Sequence, residues 1–132
     1  MTDTLTCIVC PNGCELTVGS ADDGVTVTGA ACPKGRAYAV REMTDPRRTF
    51  STSVRVLGGA VPLCSVRLTK PIPKAGIMEA VRLIHAVKLK APVMAGTVLI
   101  RGLLGTDSDV ITTSDVPAVP DVRAASDKEA CT

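Results

Sequence analysis

The sequence predicts an α+β protein in which a short N-terminal, cysteine-rich β-hairpin unit precedes a small mixed sheet packed with one or two helices. Three observations lead to this prediction. Residues 50–57 and 61–68 alternate apolar and polar side chains around Gly58-Gly59, which is typical of a β-hairpin. Residues 74–88 repeat apolar side chains three and four positions apart, which indicates a helix with one buried face. The third observation is a cluster of cysteines near the N terminus.

The cysteine-rich unit is expected to span residues 1–45. It contains three predicted strands, at residues 4–9, 15–18 and 25–28. Gly13 ends a Pro-Asn-Gly turn and can supply a positive φ there. A helix is predicted from about residue 34 to residue 43, because Pro33 suits a first helical turn.

Residues 46–113 are expected to form a small α/β unit packed against the first. Besides the hairpin and the helix described above, this unit has two short predicted strands, at residues 97–100 and 110–113. From residue 114 to residue 132, prolines, small residues and charges predict an extended or disordered tail.

Four of the six cysteines form a candidate metal site: Cys7, Cys10, Cys14 and Cys32. Clustered thiolates are soft ligands that select zinc, Cu(I) or iron–sulfur clusters. Structural zinc sites usually pair their ligands as two short knuckles. A compact C-x₂-C-x₃-C triplet with one remote cysteine is typical of [4Fe–4S] sites. The spacing therefore favours a [4Fe–4S] cluster, with zinc as the alternative and disulfides as a third option.

These cysteines and the C-P-K-G that follows resemble the N-terminal [4Fe–4S] segment of molybdopterin-dependent oxidoreductases, such as formate dehydrogenases and nitrate reductases. The resemblance covers about the first quarter of the chain. The gap from Cys14 to Cys32 is shorter than is usual in those enzymes, and 132 residues cannot hold their pterin-binding domains. The matching lysine in those enzymes lies on the electron path out of the cluster. The resemblance implies that Lys34 tunes the cluster potential, and the alternative is a solvated lysine at a helix start.

Over most of its length the chain is similar to a family of small bacterial and archaeal proteins with this cysteine motif. The similarity includes C-P-K-G, P-I-P-K at residues 71–74, A-P-V at residues 91–93 and a D-V-I-T-T segment. Family members are typically encoded beside FAD-dependent glycerol-3-phosphate dehydrogenase-like and NAD(P)-linked flavin oxidoreductases. The resemblance implies an iron–sulfur electron-transfer subunit that exchanges electrons with an FAD-dependent oxidoreductase.

Composition and motifs argue against several other functions. The net charge is +2, and neither a basic run nor an aromatic platform indicates nucleic-acid binding. The apolar runs are too short to span a membrane, and without a signal peptide the expected location is cytoplasmic. No glycine-rich nucleotide fingerprint and no catalytic nucleophile–histidine set is present. A non-catalytic subunit is therefore favoured, and the alternative is a zinc-stapled structural adaptor without redox activity.

The remaining chemically capable side chains are expected to have structural roles. Cys64 lies on an apolar strand face and should be a buried small side chain, whereas Cys131 should be an incidental exposed thiol. His85, the only histidine, lies at the flank of the helix stripe. Asp107 and Asp109 share a loop and are expected to be solvated and to bind no cation.

Overall fold

The structure, a computed structural model, describes residues 1–120 and divides the chain into two units that meet in sequence between Arg47 and Arg48. Each unit has its own hydrophobic core. The predicted α+β class is confirmed. Within the described residues, no helix combines the length and the apolar character that crossing a membrane requires.

The first unit is a three-stranded antiparallel sheet covered by one helix. Its strands are β1 (Thr2–Thr6), β2 (Glu15–Ala21) and β3 (Gly24–Thr28), in that spatial order, and its helix is α1 (Pro33–Thr44). Leu16 and Val18 alternate with exposed residues along β2 and are fully buried. They pack with Val27 and with Ala39 of α1, so the helix closes one face of the sheet. The predicted strand over residues 4–9 is wrong at its C-terminal end, because β1 ends at Thr6 and Cys7 follows the strand instead of lying inside it.

The second unit is built on a five-stranded sheet. Two very short strands lie outside this sheet, β4 (Arg47–Arg48) at the unit boundary and β7 (Ile72–Pro73). The sheet strands are β5 (Ser51–Leu57), β6 (Leu63–Leu68), β8 (Lys88–Lys90), β9 (Val98–Ile100) and β10 (Val110–Thr112). Their spatial order is β8-β5-β6-β10-β9, and β8 is parallel to β5 while the other neighbours are antiparallel.

One helix, α2 (Ile77–Ala86), packs on the inner face of this sheet after a short 3₁₀ turn at Lys74–Gly76. Ala80 and Ile84, two residues of the predicted apolar stripe, are buried against the sheet. Val54 and Val56 point into the same core, as the alternation of β5 predicts. Cys64 is fully buried there, which confirms its expected placement.

The predicted helix over residues 74–88 is too long at its C-terminal end. α2 ends at Ala86, and Val87 is already extended, with φ −75° and ψ 132°. Residues 88–90 instead form β8, which pairs with the C-terminal end of β5 and turns Leu89 towards the core. A three-residue strand alternates too briefly to be recognised in the sequence, so tertiary pairing decides its conformation.

The first residues of the predicted tail are extended and packed. Val116 is 1% exposed, and its backbone exchanges two hydrogen bonds with Val93, at 2.8 and 2.9 Å. The Val119 N–H donates to the Gly58 carbonyl oxygen at 3.0 Å. Residues 114–119 therefore belong to the second unit, whereas residues 121–132 of the predicted tail, with Cys131, lie outside the described residues.

Candidate metal centre

The four cysteines of the predicted site line one cavity of about 180 Å³ in the first unit. The rest of its wall comes from Val9, Asn12, Ala30, Ala31, Lys34 and Gly35. The fold thus brings Cys32 to the Cys7–Cys14 loop across a sequence gap of seventeen residues. It also places Lys34 beside the same cavity, as the sequence predicts.

A backbone hydrogen bond closes the loop that carries the first three cysteines. The Cys7 N–H donates to the Cys14 carbonyl oxygen, with 2.8 Å between nitrogen and oxygen. Gly13 adopts φ +60°, a conformation that glycine reaches without a steric penalty. This left-handed residue turns the chain sharply before Cys14, so the loop curls around the cavity.

The β2–β3 hairpin and Gly29 return the chain to this loop. β3 pairs with β2 along its whole length and ends beside the start of β2. Gly29 has φ +87°, and a Cβ there would fall against the carbonyl oxygen of Glu15. Only glycine permits this close approach, which leads residues 30–32 past Cys14 and into α1.

The four thiols differ in their exposure to solvent. Cys7 is only 5% exposed and belongs to the core of the first unit, and Cys14 is half-buried against that core. Cys10 and Cys32 are exposed. All cysteines within residues 1–120 are free thiols, so the structure pairs none of them in a disulfide there. The cavity therefore has a dry wall at Cys7 and an open rim at Cys10 and Cys32.

The N-terminus of α1 forms the positive part of the cavity wall. Cys32 is the residue that precedes the helix, and the side chain of Cys32 caps no helical N–H. The first N–H groups of an α-helix have no acceptor within the helix, and the aligned peptide dipoles make this end positive. Lys34 adds a full positive charge at the cavity. This wall would stabilise thiolate ligands, which carry negative charge.

A buried glycine of α1, Gly35, faces the innermost thiol. A Cβ at Gly35 would be 3.4 Å from the Cys7 sulfur and 3.7 Å from the Ala30 Cβ. A side chain here would therefore fill the space beside Cys7. The roles of Gly29 and Gly35 are not visible in the sequence, because they depend on which atoms the fold brings close to each glycine.

The four thiols line the same cavity but do not converge on a single metal position. Within residues 1–120, no three His, Cys, Asp or Glu side chains are close enough to share a single metal ion.

Cys64 and His85 lie in the second unit and have partners of their own. The Cys64 thiol donates to the Ser114 carbonyl oxygen at 3.5 Å. The Nε2 atom of His85 is 2.9 Å from the Thr52 hydroxyl oxygen, which holds the end of α2 on β5. Both contacts lie within the second unit and join its elements to one another.

Asp107 and Asp109 stabilise the loop around residues 102–109. Asp109 accepts a hydrogen bond from the Gly102 N–H at 2.9 Å. The sequence predicted a solvated carboxylate here, and the structure shows one that is hydrogen-bonded to the backbone. Asp107 accepts from Lys70 at 2.9 Å, and this hydrogen bond, with the negative charge of Asp107, raises the pKa of Lys70. An exposed pair of this kind contributes little to stability.

The match to a known protein family lies mainly in the second unit. A family profile described as "Protein of unknown function (DUF1667)" matches residues 33–114, which is more than half of the chain. The match begins one residue after Cys32, so the four cysteines lie outside it. No curated protein matches the chain.

Among solved structures, the chain is similar to the NMR structure of the Clostridium perfringens protein CPE0013. The two chains are 20% identical, with a TM-score of 0.50, and the alignment covers 57% of this chain and 89% of the other. At this identity the similarity concerns the fold alone.

The substitution Gly29→Ala should destabilise the protein more than Gly96→Ala. Both glycines have nearly the same positive φ, +87° and +83°, so the backbone strain of the two substitutions is similar. Only at Gly29 does the new methyl group meet a backbone oxygen, because nothing lies within 4 Å of a Cβ at Gly96. We expect an additional loss of about 1–3 kcal/mol in the free energy of unfolding, measured by urea denaturation.

The Cys7 thiol of the Gly29→Ala protein should also react faster with a thiol reagent than in the Gly96→Ala protein. Equal unfolding free energies and equal Cys7 reactivity in the two variants would show that Gly29 does not hold the cavity together.

Proposed function

The chain belongs to the DUF1667 family, and we propose that its first unit holds a [4Fe–4S] cluster as an electron-transfer subunit of an oxidoreductase complex. The ligands would be the four cysteines of the cavity: Cys7, Cys10, Cys14 and Cys32. The observation that carries the proposal is that four thiols from two separate segments line one cavity. The alternative is a zinc-stapled structural adaptor with the same ligands and no redox activity.

The donor set fits an iron–sulfur cluster. Thiolates are the usual protein ligands of cubane clusters, and a compact triplet with one remote partner is a recurrent spacing for them. Cys7 can bind from the dry wall of the cavity, and Cys10 and Cys32 from its rim. Structural zinc more often uses paired knuckles. Spacing therefore favours the cluster, and metal analysis separates the two possibilities.

When bound, such a cluster supplies one-electron chemistry, and the protein positions and tunes it. Here the positive end of α1 and the Lys34 ammonium would lie beside the thiolates. Positive charge favours the reduced cluster, because reduction makes the site more negative. Lys34 would thereby raise the reduction potential.

An electron-transfer subunit of this kind needs a partner that supplies or accepts electrons. The sequence contains no nucleotide fingerprint and no acid–base set. The partner we propose is an FAD-dependent oxidoreductase, either glycerol-3-phosphate dehydrogenase-like or NAD(P)-linked, in the cytoplasm. Ile8 and Val9 are 75% and 43% exposed within the cysteine loop, so an apolar surface beside the cavity is open to a partner. Residues 114–119 are not available for this contact, because they already pack within the second unit.

Alanine at Cys32 should abolish iron binding, whereas alanine at Cys64 should not. Cys32 is a proposed ligand from the remote segment, and Cys64 is buried in the other unit. Metal binding stabilises the folded site, so Cys32→Ala should also lower the thermal stability of the first unit. The measurement is the content of iron and acid-labile sulfide after anaerobic purification. Wild-type iron content in Cys32→Ala would remove this residue from the ligand set.

The substitution Lys34→Ala should lower the reduction potential of the centre, and Lys34→Arg should preserve it. A charge a few ångströms away in a water-like medium contributes about 1 kcal/mol, equivalent to roughly 40 mV for one electron. A potentiometric titration followed by visible absorbance measures the shift. Lys74→Ala, which removes an exposed lysine of the other unit, is the control and should leave the potential unchanged. If Lys34→Ala also leaves it unchanged, Lys34 is a solvated lysine without a tuning role.

The purified chain should be reducible by dithionite but should oxidise no small metabolite alone. Co-expression with an FAD-dependent oxidoreductase from its own gene neighbourhood should give a complex that co-elutes in size-exclusion chromatography and has dehydrogenase activity. Replacing Ile8 with Glu should weaken this complex, whereas Met78→Glu, at a residue 66% exposed on α2, should not. A chain that elutes alone with every such candidate, or turns over a substrate unaided, would argue against the subunit role.

A further inference from the structure

The face of the five-stranded sheet that points away from the core carries an unusual set of side chains. Val54 and Val56 of β5 point into the core, so the intervening residues point outwards. The pairing of β5 with its neighbours extends this surface over three strands. We define the outer sheet face by six of its residues: Arg55, Leu57, Leu63, Arg67, Lys88 and Lys90.

The charge of the outer sheet face has one sign. Four of its six defining residues are basic, and none of the five strands of the sheet contains an aspartate or a glutamate. Within residues 1–120, Arg55, Lys88 and Lys90 form no ion pair. The first unit, in contrast, has four basic and six acidic residues, so the positive charge of the chain is concentrated in the second unit.

Two of these cations lie directly opposite each other. Arg55 of β5 is in register with Lys88 of the parallel strand β8. Like charges opposite one another destabilise a sheet. Lysines on an edge strand are common because they prevent pairing with other chains, and this explains Lys88 and Lys90. It does not explain Arg55, since β5 is an interior strand with a neighbour on each side. Carboxylates from outside would relieve this repulsion.

Large apolar side chains lie among the cations. Leu57 and Leu63 are 50% and 54% exposed, and Leu63 is directly opposite Arg55 on β6. Arginine beside exposed apolar groups is typical of protein–protein interfaces. The five strands contain no aromatic residue on which nucleic-acid bases could stack, which disfavours a nucleic-acid ligand.

We propose that the outer sheet face binds the surface of another protein that presents aspartates and glutamates around an apolar centre. The carboxylates would pair with Arg55 and the β8 lysines, and the apolar centre would cover Leu57 and Leu63. Every residue of this interface lies in the second unit, whereas the four cysteines lie in the first.

The substitution Arg55→Glu should raise the stability of the protein and weaken its binding to the partner. A purely structural arginine would not give this combination. The substitution replaces a repulsive pair with an attraction between the new carboxylate and Lys88, so the midpoint of thermal unfolding should rise. Binding of the partner should weaken at least about tenfold, because a negative charge now faces the partner's carboxylates. Stability and binding thus move in opposite directions. Lys74→Glu, an exposed charge reversal outside the face, is the control and should leave binding within about twofold of the wild type.

The partner can be identified with a zero-length carbodiimide cross-linker applied to the full chain in a lysate of its own cells. Mass spectrometry should find Lys88 or Lys90 joined to an Asp or Glu of one other protein, and Arg55→Glu should abolish these links. That protein, once purified, is the probe for the binding measurements at low and at physiological salt.

Four results would overturn the proposal. Two are cross-linking results, in which Lys88 and Lys90 are joined only to residues 121–132 of the same chain or only to a second copy of it. The third is capture of the partner that nuclease treatment abolishes. The fourth is binding of the partner that Arg55→Glu leaves unchanged. Failure of the metal predictions would leave these results unaffected, so the two proposals can fail separately.

Discussion

The first unit depends on one constraint, which is the return of the chain from Cys14 to Cys32. Bringing distant thiols together costs chain entropy. The β2–β3 hairpin already closes the chain between Cys14 and Cys32, so less entropy is lost when a metal binds. The register of the hairpin fixes where β3 ends, and the close approach of Gly29 to the Glu15 carbonyl directs the chain towards the cavity. The 2.8 Å hydrogen bond from Cys7 to Cys14 shapes the opposite wall. The backbone geometry therefore forms the cavity, and the thiols line its wall.

The two units differ in how far their own cores can stabilise them. The core of the second unit has twelve buried residues, drawn from the sheet, α2 and the loops that cover them. That of the first unit has five, one of which is the Cys7 side chain. So small a core gains most from an additional cross-link, and a metal group bound by four thiolates would supply one. The candidate metal centre thus lies in the unit with the smaller core, where a cross-link would add most to stability.

Sequence patterns predicted those features that depend on local chemistry. Pro33 marked the start of α1, the alternation around Val54 and Val56 gave the central hairpin, and the cysteine spacing grouped the four thiols that line the cavity. Features that depend on tertiary contacts were not predictable. The strand β8 exists because β5 offers it a pairing edge, and the packing of residues 114–119 depends on Val93. The identity of the metal group stays a prediction, because the same four thiolates suit both an iron–sulfur cluster and zinc.

The most direct test of the account is the metal content of the full chain after anaerobic purification, together with its EPR spectrum after dithionite reduction. The account predicts a brown protein with about four iron and four sulfide per chain, little zinc, and a paramagnetic signal that appears on reduction. About one zinc per chain, without iron, colour or an EPR signal, would contradict the electron-transfer proposal and favour the structural adaptor.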